Sequence, residues 1–156
     1  MDTQEHGILM NEIRYAQRIT QRTARLYRRL TTFFTFSAII GGSGLASAMS
    51  AAAPEWLVFA GGALLACTGA AALAIRPLEK AILNEQDVKK YSTLETQAVS
   101  MDAPALRAEL AKARESDAAE VELLRDVAYN DVVVESGRSD LASPLTLPQK
   151  LIAALA

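Results

Sequence analysis

Two uncharged stretches stand almost end to end in this chain. Residues 31–54 contain no Asp, Glu, Lys or Arg, and after the lone Glu55 the same is true of residues 56–75. Each is about as long as the ~20 residues a helix needs to cross a bilayer. Only residues 50–55 are available to turn the chain, so the spacing predicts an antiparallel pair of membrane helices at 31–53 and 56–75. The predicted class is an all-α membrane protein. It comprises a two-helix transmembrane hairpin, an N-terminal amphipathic helix and C-terminal cytoplasmic helices.

The flanks, 1–30 and 76–156, are too short for a second large soluble core, and small helical elements are the expected content. The net charge of −2 hides an asymmetry. Before the pair, six arginines face three carboxylates; after Ile75, ten basic residues face fourteen acidic ones. That balance makes no broad nucleic-acid surface. It predicts that the basic front segment meets either the acidic rear segment or anionic lipid.

From residue 11 to 30 the apolar residues recur every three or four positions, through Ile13, Ala16, Ile19, Thr23, Leu26 and Leu30. Arg14, Arg18, Arg22, Arg25 and Arg29 follow the same rhythm on a neighbouring face, with Arg28 beside them. This predicts a basic amphipathic helix whose arginine stems lie along the membrane interface while their heads reach phosphate. Trp56 and Arg76 are the matching interface anchors of the second helix. Arg25, Arg28 and Arg29 flank the first span, Arg76 and Lys80 flank the second, and the intervening turn carries no basic residue. The positive-inside rule then places both termini in the cytoplasm.

The first span carries Gly41, Gly42, Ser43 and Gly44, and Gly44, Ala48 and Ala52 recur at four-residue intervals. Gly62, Ala66, Ala70 and Ala74 do the same in the second. Such stripes allow close backbone approach. They fit packing within the hairpin or between copies of the chain. Ser37, Ser43, Ser47 and Thr68 are the hydroxyls available to line a pore, which a single hairpin cannot enclose. Ala46-Ser47-Ala48 mimics a signal-peptide cleavage site, but the charged lead is too long and the apolar run continues past it. Cys67 reads as a small packing residue.

The cytoplasmic region is expected at 76–135, with a loop and short helix at 136–156. Pro77 marks the exit, a break is expected near Gln86 and Asp87, and Asp102 is placed to cap a helix starting near Ala105. Val132, Val133 and Val134 have no strand to pair with and read as a helix end, with Gly137 as its stop. Residues 149–156 form a candidate short helix exposing Leu151, Ile152 and Leu155.

Catalytic readings fail for lack of parts. His6 is the single histidine. No His/Cys cluster suits zinc, and the glycines at 41–44 lack the lysine of a phosphate loop. No enzyme activity, cofactor or metal is expected. Neither span holds a charged residue, which argues against a proton-coupled transporter or voltage sensor. Tyr129, Asn130 and Asp131, ahead of an apolar run, are the candidate partner contact.

Arg28-Arg29-Leu30 before the first span and Tyr91-Ser92-Thr93-Leu94 after the second, within this layout, resemble the SLATT group of bacterial two-transmembrane proteins. That resemblance implies an oligomeric, pore-forming or membrane-perturbing effector of bacterial defence in the inner membrane. No nucleotide-sensing domain accompanies it. A membrane-anchored scaffold recruiting a cytoplasmic partner, or a holin-like phage protein, are the alternatives. The expected partners are the lipid bilayer, further copies of the chain and a cytoplasmic protein, with no specific nucleic acid.

Overall fold

The computed structural model describes residues 2–48 and 54–156, with side chains for 4–44 and 54–156. Residues 50–53 of the expected turn, the end of the first span and Ala52 among them, lie outside the described residues, as do the side chains of Ala46, Ser47 and Ala48. Among the described residues are six α-helices: α1 (Asp2–Ala48), α2 (Glu55–Ile75), α3 (Pro77–Ala98), α4 (Ala103–Glu115), α5 (Arg125–Glu135) and α6 (Leu147–Leu155). Short 3-10 turns stand at Glu122–Leu124 and Ser139–Leu141. No strand occurs among the described residues, so the expected all-α class holds.

The helices divide into two compact units. One comprises Met1–Leu26 and Lys80–Ala156; the other is Tyr27–Glu79. The division after Leu26 falls within the expected first segment, 1–30, and Met1–Leu26 shares its unit with the last region. Its apolar stripe needs cover, and the later helices supply it.

In the first unit, Leu9, Ile13 and Ala16 of α1 pack with Tyr91, Leu94 and Ala98 of α3 and with Leu106 and Leu110 of α4. Fully burying an Ile or Leu contributes about 1.5–3 kcal/mol relative to exposure, so this apolar seam dominates the unit. The α1 stripe uses Leu9 rather than its exposed neighbour Ile8. Thr20 and Thr23 are also buried, and their hydroxyls donate to the carbonyls of Ala16 and Ile19 one turn back. Their polarity is thereby satisfied without a partner helix. Leu124, Val127, Ala128, Val132 and Val133 form the buried face of the α5 region.

Helix ends follow the sequence closely. The Asp102 carboxylate accepts from the Ala105 amide and caps α4. Gly137 adopts φ +72°, its amide reaches the Val134 carbonyl, and the Arg138 amide reaches Val133. This is the paired-bond helix stop that favours glycine. At α6, Thr146 and Gln149 form a reciprocal cap, so the helix begins two residues before the expected start. The break expected at Gln86 and Asp87 does not occur; α3 runs through both. Asp87 is nearly buried because its carboxylate is taken up by Lys90 and by the Ala118 amide.

In the second unit, the later part of α1 packs against α2. Gly41 is buried, and a Cβ there would meet the Gly61 carbonyl oxygen at 3.0 Å and Leu65 Cβ at 3.2 Å. On α2 the more protected positions include Val58, Gly61, Leu65, Thr68, Ala72 and Ile75, alternately three and four residues apart. On α1 they include Leu30, Phe34, Ser37, Gly41 and Gly44. That alternation is the seam spacing of two helices wound closely together. Arg76 ends α2 in the left-handed region (φ 48°, ψ 55°), its amide donating to the Ala72 carbonyl. Pro77 then opens α3. A proline disfavours right-handed α geometry in the residue before it, which accounts for the interruption.

Candidate functional site

The unit Tyr27–Glu79 turns large apolar side chains outward. Phe33, Phe36, Ile39 and Ile40 are exposed on α1, and Trp56, Phe59 and Leu73 on α2. Phe59 and Leu73 are 80% and 79% accessible. The helical stretch Glu55–Ala98 contains an apolar window of mean hydropathy 2.0, of which 6% is buried. It is the one stretch among the described residues long and apolar enough to cross a membrane. Apolar surface on this scale marks contact with lipid or protein rather than water.

The small-residue stripes divide between two uses. Gly41 lies in the seam, and Gly44 is in ordinary contact with Gly61, where a Cβ would lie 3.9 Å from its Cα. Ala66 and Ala70 instead lie on the exposed side of α2, and Gly62 is half-buried. Internal packing therefore uses Gly61 and Leu65 rather than the stripe expected from four-residue spacing. Of the hydroxyls, Ser37 and Thr68 are buried, and Thr68 donates to the Leu64 carbonyl at 2.7 Å. Ser43 is exposed and donates to the Ile40 carbonyl. Cys67 is exposed, not enclosed as a packing residue.

The arginine series also divides. Arg14, Arg18 and Arg22, expected at the membrane interface, are bound within their own unit. Arg14 pairs with Glu95 at 2.9 Å, Arg18 with Glu135, and Arg22 with both oxygens of Asp131 at 2.8 and 2.9 Å. Arg22 also donates to the Ala153 carbonyl at 3.2 Å. Carboxylates brought close by helix packing replace lipid phosphate as their partners. On the same helix, Glu5 and Glu12 receive Arg107 and Arg114. Of the two meetings expected for the basic front segment, the one with the acidic rear segment is what forms here. Arg25, Arg28, Arg29 and Arg76 are exposed, with Arg76 placed 3.6 Å from Glu79. Trp56 is exposed near the start of α2.

The expected partner contact resolves into three different roles. Asp131 is the carboxylate held by Arg22. Asn130 bonds the Ser143 backbone twice, donating to its carbonyl and accepting from its amide, both at 2.8 Å. Tyr129 alone faces open space. It lines an apolar recess of about 380 Å³ with Ile8, Tyr15, Val132, Val133 and Leu141. Burial, and then the charge of Glu120, pushes the Tyr15 hydroxyl above its ordinary pKa.

A polar cluster missed by sequence reasoning pins α3 to the segment after α4. The Lys90 ammonium donates to Asp87 at 2.8 Å, Asp117 at 2.7 Å and the Ala113 carbonyl at 2.8 Å. The buried Tyr91 hydroxyl donates to the other Asp117 oxygen. Burial, followed by the bond to Asp117, raises Tyr91 well above the usual phenol range. Burial acts to lower Lys90, but its hydrogen bonds to Asp117 and Asp87 prevail and hold it above its usual value. The Tyr91-Ser92 stretch thus contributes packing and anchoring. His6 Nε2 lies 2.9 Å from the Ala98 carbonyl oxygen, another bond between α1 and α3. Among the described residues no group of three or more His, Cys, Asp or Glu is placed to hold a metal. In comparisons with protein-family models, curated proteins and solved structures, nothing matches this chain.

Proposed function

We propose that this is a two-pass membrane protein that assembles with copies of itself into a pore-forming or membrane-perturbing effector. Residues 27–79 form the membrane hairpin, both flanks lie in the cytoplasm, and the unit of Met1–Leu26 and Lys80–Ala156 is its cytoplasmic body. The observation that carries the reading is the apolar window of the α2 stretch, 6% buried, with Phe59 and Leu73 of α2 exposed. Water is a poor solvent for that surface and hydrocarbon a good one. The division of the chain at Leu26 and Lys80 fits a boundary between solvents. Arg28, Arg29, Arg76 and Lys80 mark the cytoplasmic side.

Self-association is supported by the exposed Ala66 and Ala70, small residues on a face that the hairpin leaves uncovered. Permeability follows only from several hairpins together, since a single two-helix hairpin cannot enclose a pore. The effector role and the bacterial inner membrane come from the resemblance to SLATT proteins. The test is reconstitution of the full chain into dye-loaded phosphatidylcholine and phosphatidylglycerol liposomes. Release that rises steeply with protein-to-lipid ratio is expected. An inserted, protease-protected hairpin that leaks no ions or dye at any ratio overturns the effector reading.

The recess beside Tyr129 favours a second reading, a membrane-anchored scaffold. Its apolar walls on the cytoplasmic body offer a partner a place to bury a side chain. Capture of one defined cytoplasmic protein, lost in Tyr129→Ala and unaccompanied by leakage, would support the scaffold instead.

A further inference from the structure

We propose that α6 is a membrane-surface helix that holds the cytoplasmic body against lipid headgroups through Leu147, Leu151 and Leu155. These side chains, four residues apart, are 76%, 70% and 51% accessible. They lie together on one face of the helix. Ile152 and Ala153 point to the protected side. Lys150 is exposed at one edge of the leucine face, and α6 contains no acidic residue. Leucines on one side with a flanking cation form the pattern of helices that lie in the lipid interface.

Connectivity selects lipid as the occupant. The Arg22 guanidinium donates to the Ala153 carbonyl at 3.2 Å while gripping Asp131. Six residue steps lead from Arg22 to Arg28, at most ~22 Å of chain even fully extended. The inference rests on the hairpin reading, under which Arg28 and Arg29 mark the headgroup level. The short chain path then keeps α6 near the headgroup level. A tethered surface of this kind needs little intrinsic affinity, because anchoring makes its encounter with lipid intramolecular. A second copy fits less well. Nine residues make a helix about 14 Å long, and one face of it falls well short of the ~800 Å² per partner of a standard interface.

The experiment uses the full chain with Cys67→Ala and a single new thiol at either position 151 (Leu151→Cys) or position 59 (Phe59→Cys). Each carries an environment-sensitive fluorophore in phosphatidylcholine and phosphatidylglycerol vesicles, with bromine on the acyl chains near the headgroups or near the bilayer centre. Label at 151 is expected to be blue-shifted and to lose most of its emission to shallow bromine. Label at 59 should lose most of its emission to deep bromine. Water-like emission at 151, with 59 quenched, overturns the surface helix and leaves the hairpin standing. A blue shift at 151 that bromine does not touch also overturns it and identifies a protein occupant. Absence of quenching at 59 overturns the hairpin and this inference together. Helix content by circular dichroism confirms that both variants are folded; Leu151 and Phe59 are exposed, so neither substitution opens a cavity.

Discussion

Gly41 is where one hydrogen atom separates two helices. A methyl group at that position meets backbone oxygen at 3.0 Å, whereas one at Gly42 meets nothing within 4 Å. Gly41→Ala is therefore expected to destabilise the helix pair by about 1–3 kcal/mol, the cost of overpacking. Gly42→Ala should be neutral or mildly stabilising through helix propensity. Denaturant titration of the two variants in micelles checks the contrast. The sequence marked both glycines as small but did not separate them, because helix rotation decides which one meets the neighbour. The same ambiguity hid Asn84. Its amide donates to the Lys80 carbonyl, yet its oxygen is buried without a partner. Leucine has a similar volume, so Asn84→Leu should raise stability by about 1 kcal/mol by removing a desolvated acceptor. Chemical denaturation of the variant gives the sign directly. Tyr91 supplies a pH signature. Both Tyr91 and Lys90 hold their protons more tightly when folded. Their contribution is complete below about pH 10, the unfolded range, and is lost as pH rises toward their folded values. Thermal melts should fall above that pH. Tyr91→Phe should weaken the fall and cost about 1 kcal/mol at neutral pH through the lost bond to Asp117.

At the scale of elements, the periodic helices, the Asp102 cap and the Gly137 stop were legible because each depends on neighbours within a few residues. Arg22 and Asp131 were not, since 109 positions separate them. A rhythm of arginines beside an apolar stripe looks the same whether phosphate or carboxylate receives it. Asp87 misled for a related reason. A carboxylate within an apolar stripe resembles a break, unless a lysine one turn along the helix and an amide from the loop after α4 take it up. The Arg22–Asp131 bond pair is charge-assisted, two-pronged and about three-quarters shielded from solvent, with side chains 22% and 26% exposed. A double-mutant cycle with Arg22→Ala and Asp131→Ala should give a coupling of about 1–2 kcal/mol. The exposed Arg107–Glu5 pair should give less than about 1 kcal/mol.

For the whole molecule, assembly and folding of the hairpin can be separated experimentally. Ala66 and Ala70 are exposed, while Gly41 is enclosed. Ala66→Leu with Ala70→Leu should leave the pair intact while weakening cross-linked association on the order of tenfold, equivalent to ~1.4 kcal/mol. Quantitative cross-linking across a lipid dilution series measures this. The first unit has its own consequence. It is made from two segments of chain, Met1–Leu26 and Lys80–Ala156, interrupted by Tyr27–Glu79. Leu9 and Ile13 wait for Tyr91 and Leu106, which are synthesised much later. At ~5–20 residues per second, the interval from Leu9 to Tyr91 lasts roughly 4–16 s on the ribosome. During that time an oily, arginine-rich helix has emerged with nothing to cover it. Under the membrane reading, newborn chains are expected to depend on a chaperone or on prompt delivery to the insertion machinery, and a ribosome stalled before α3 to release a product prone to clump.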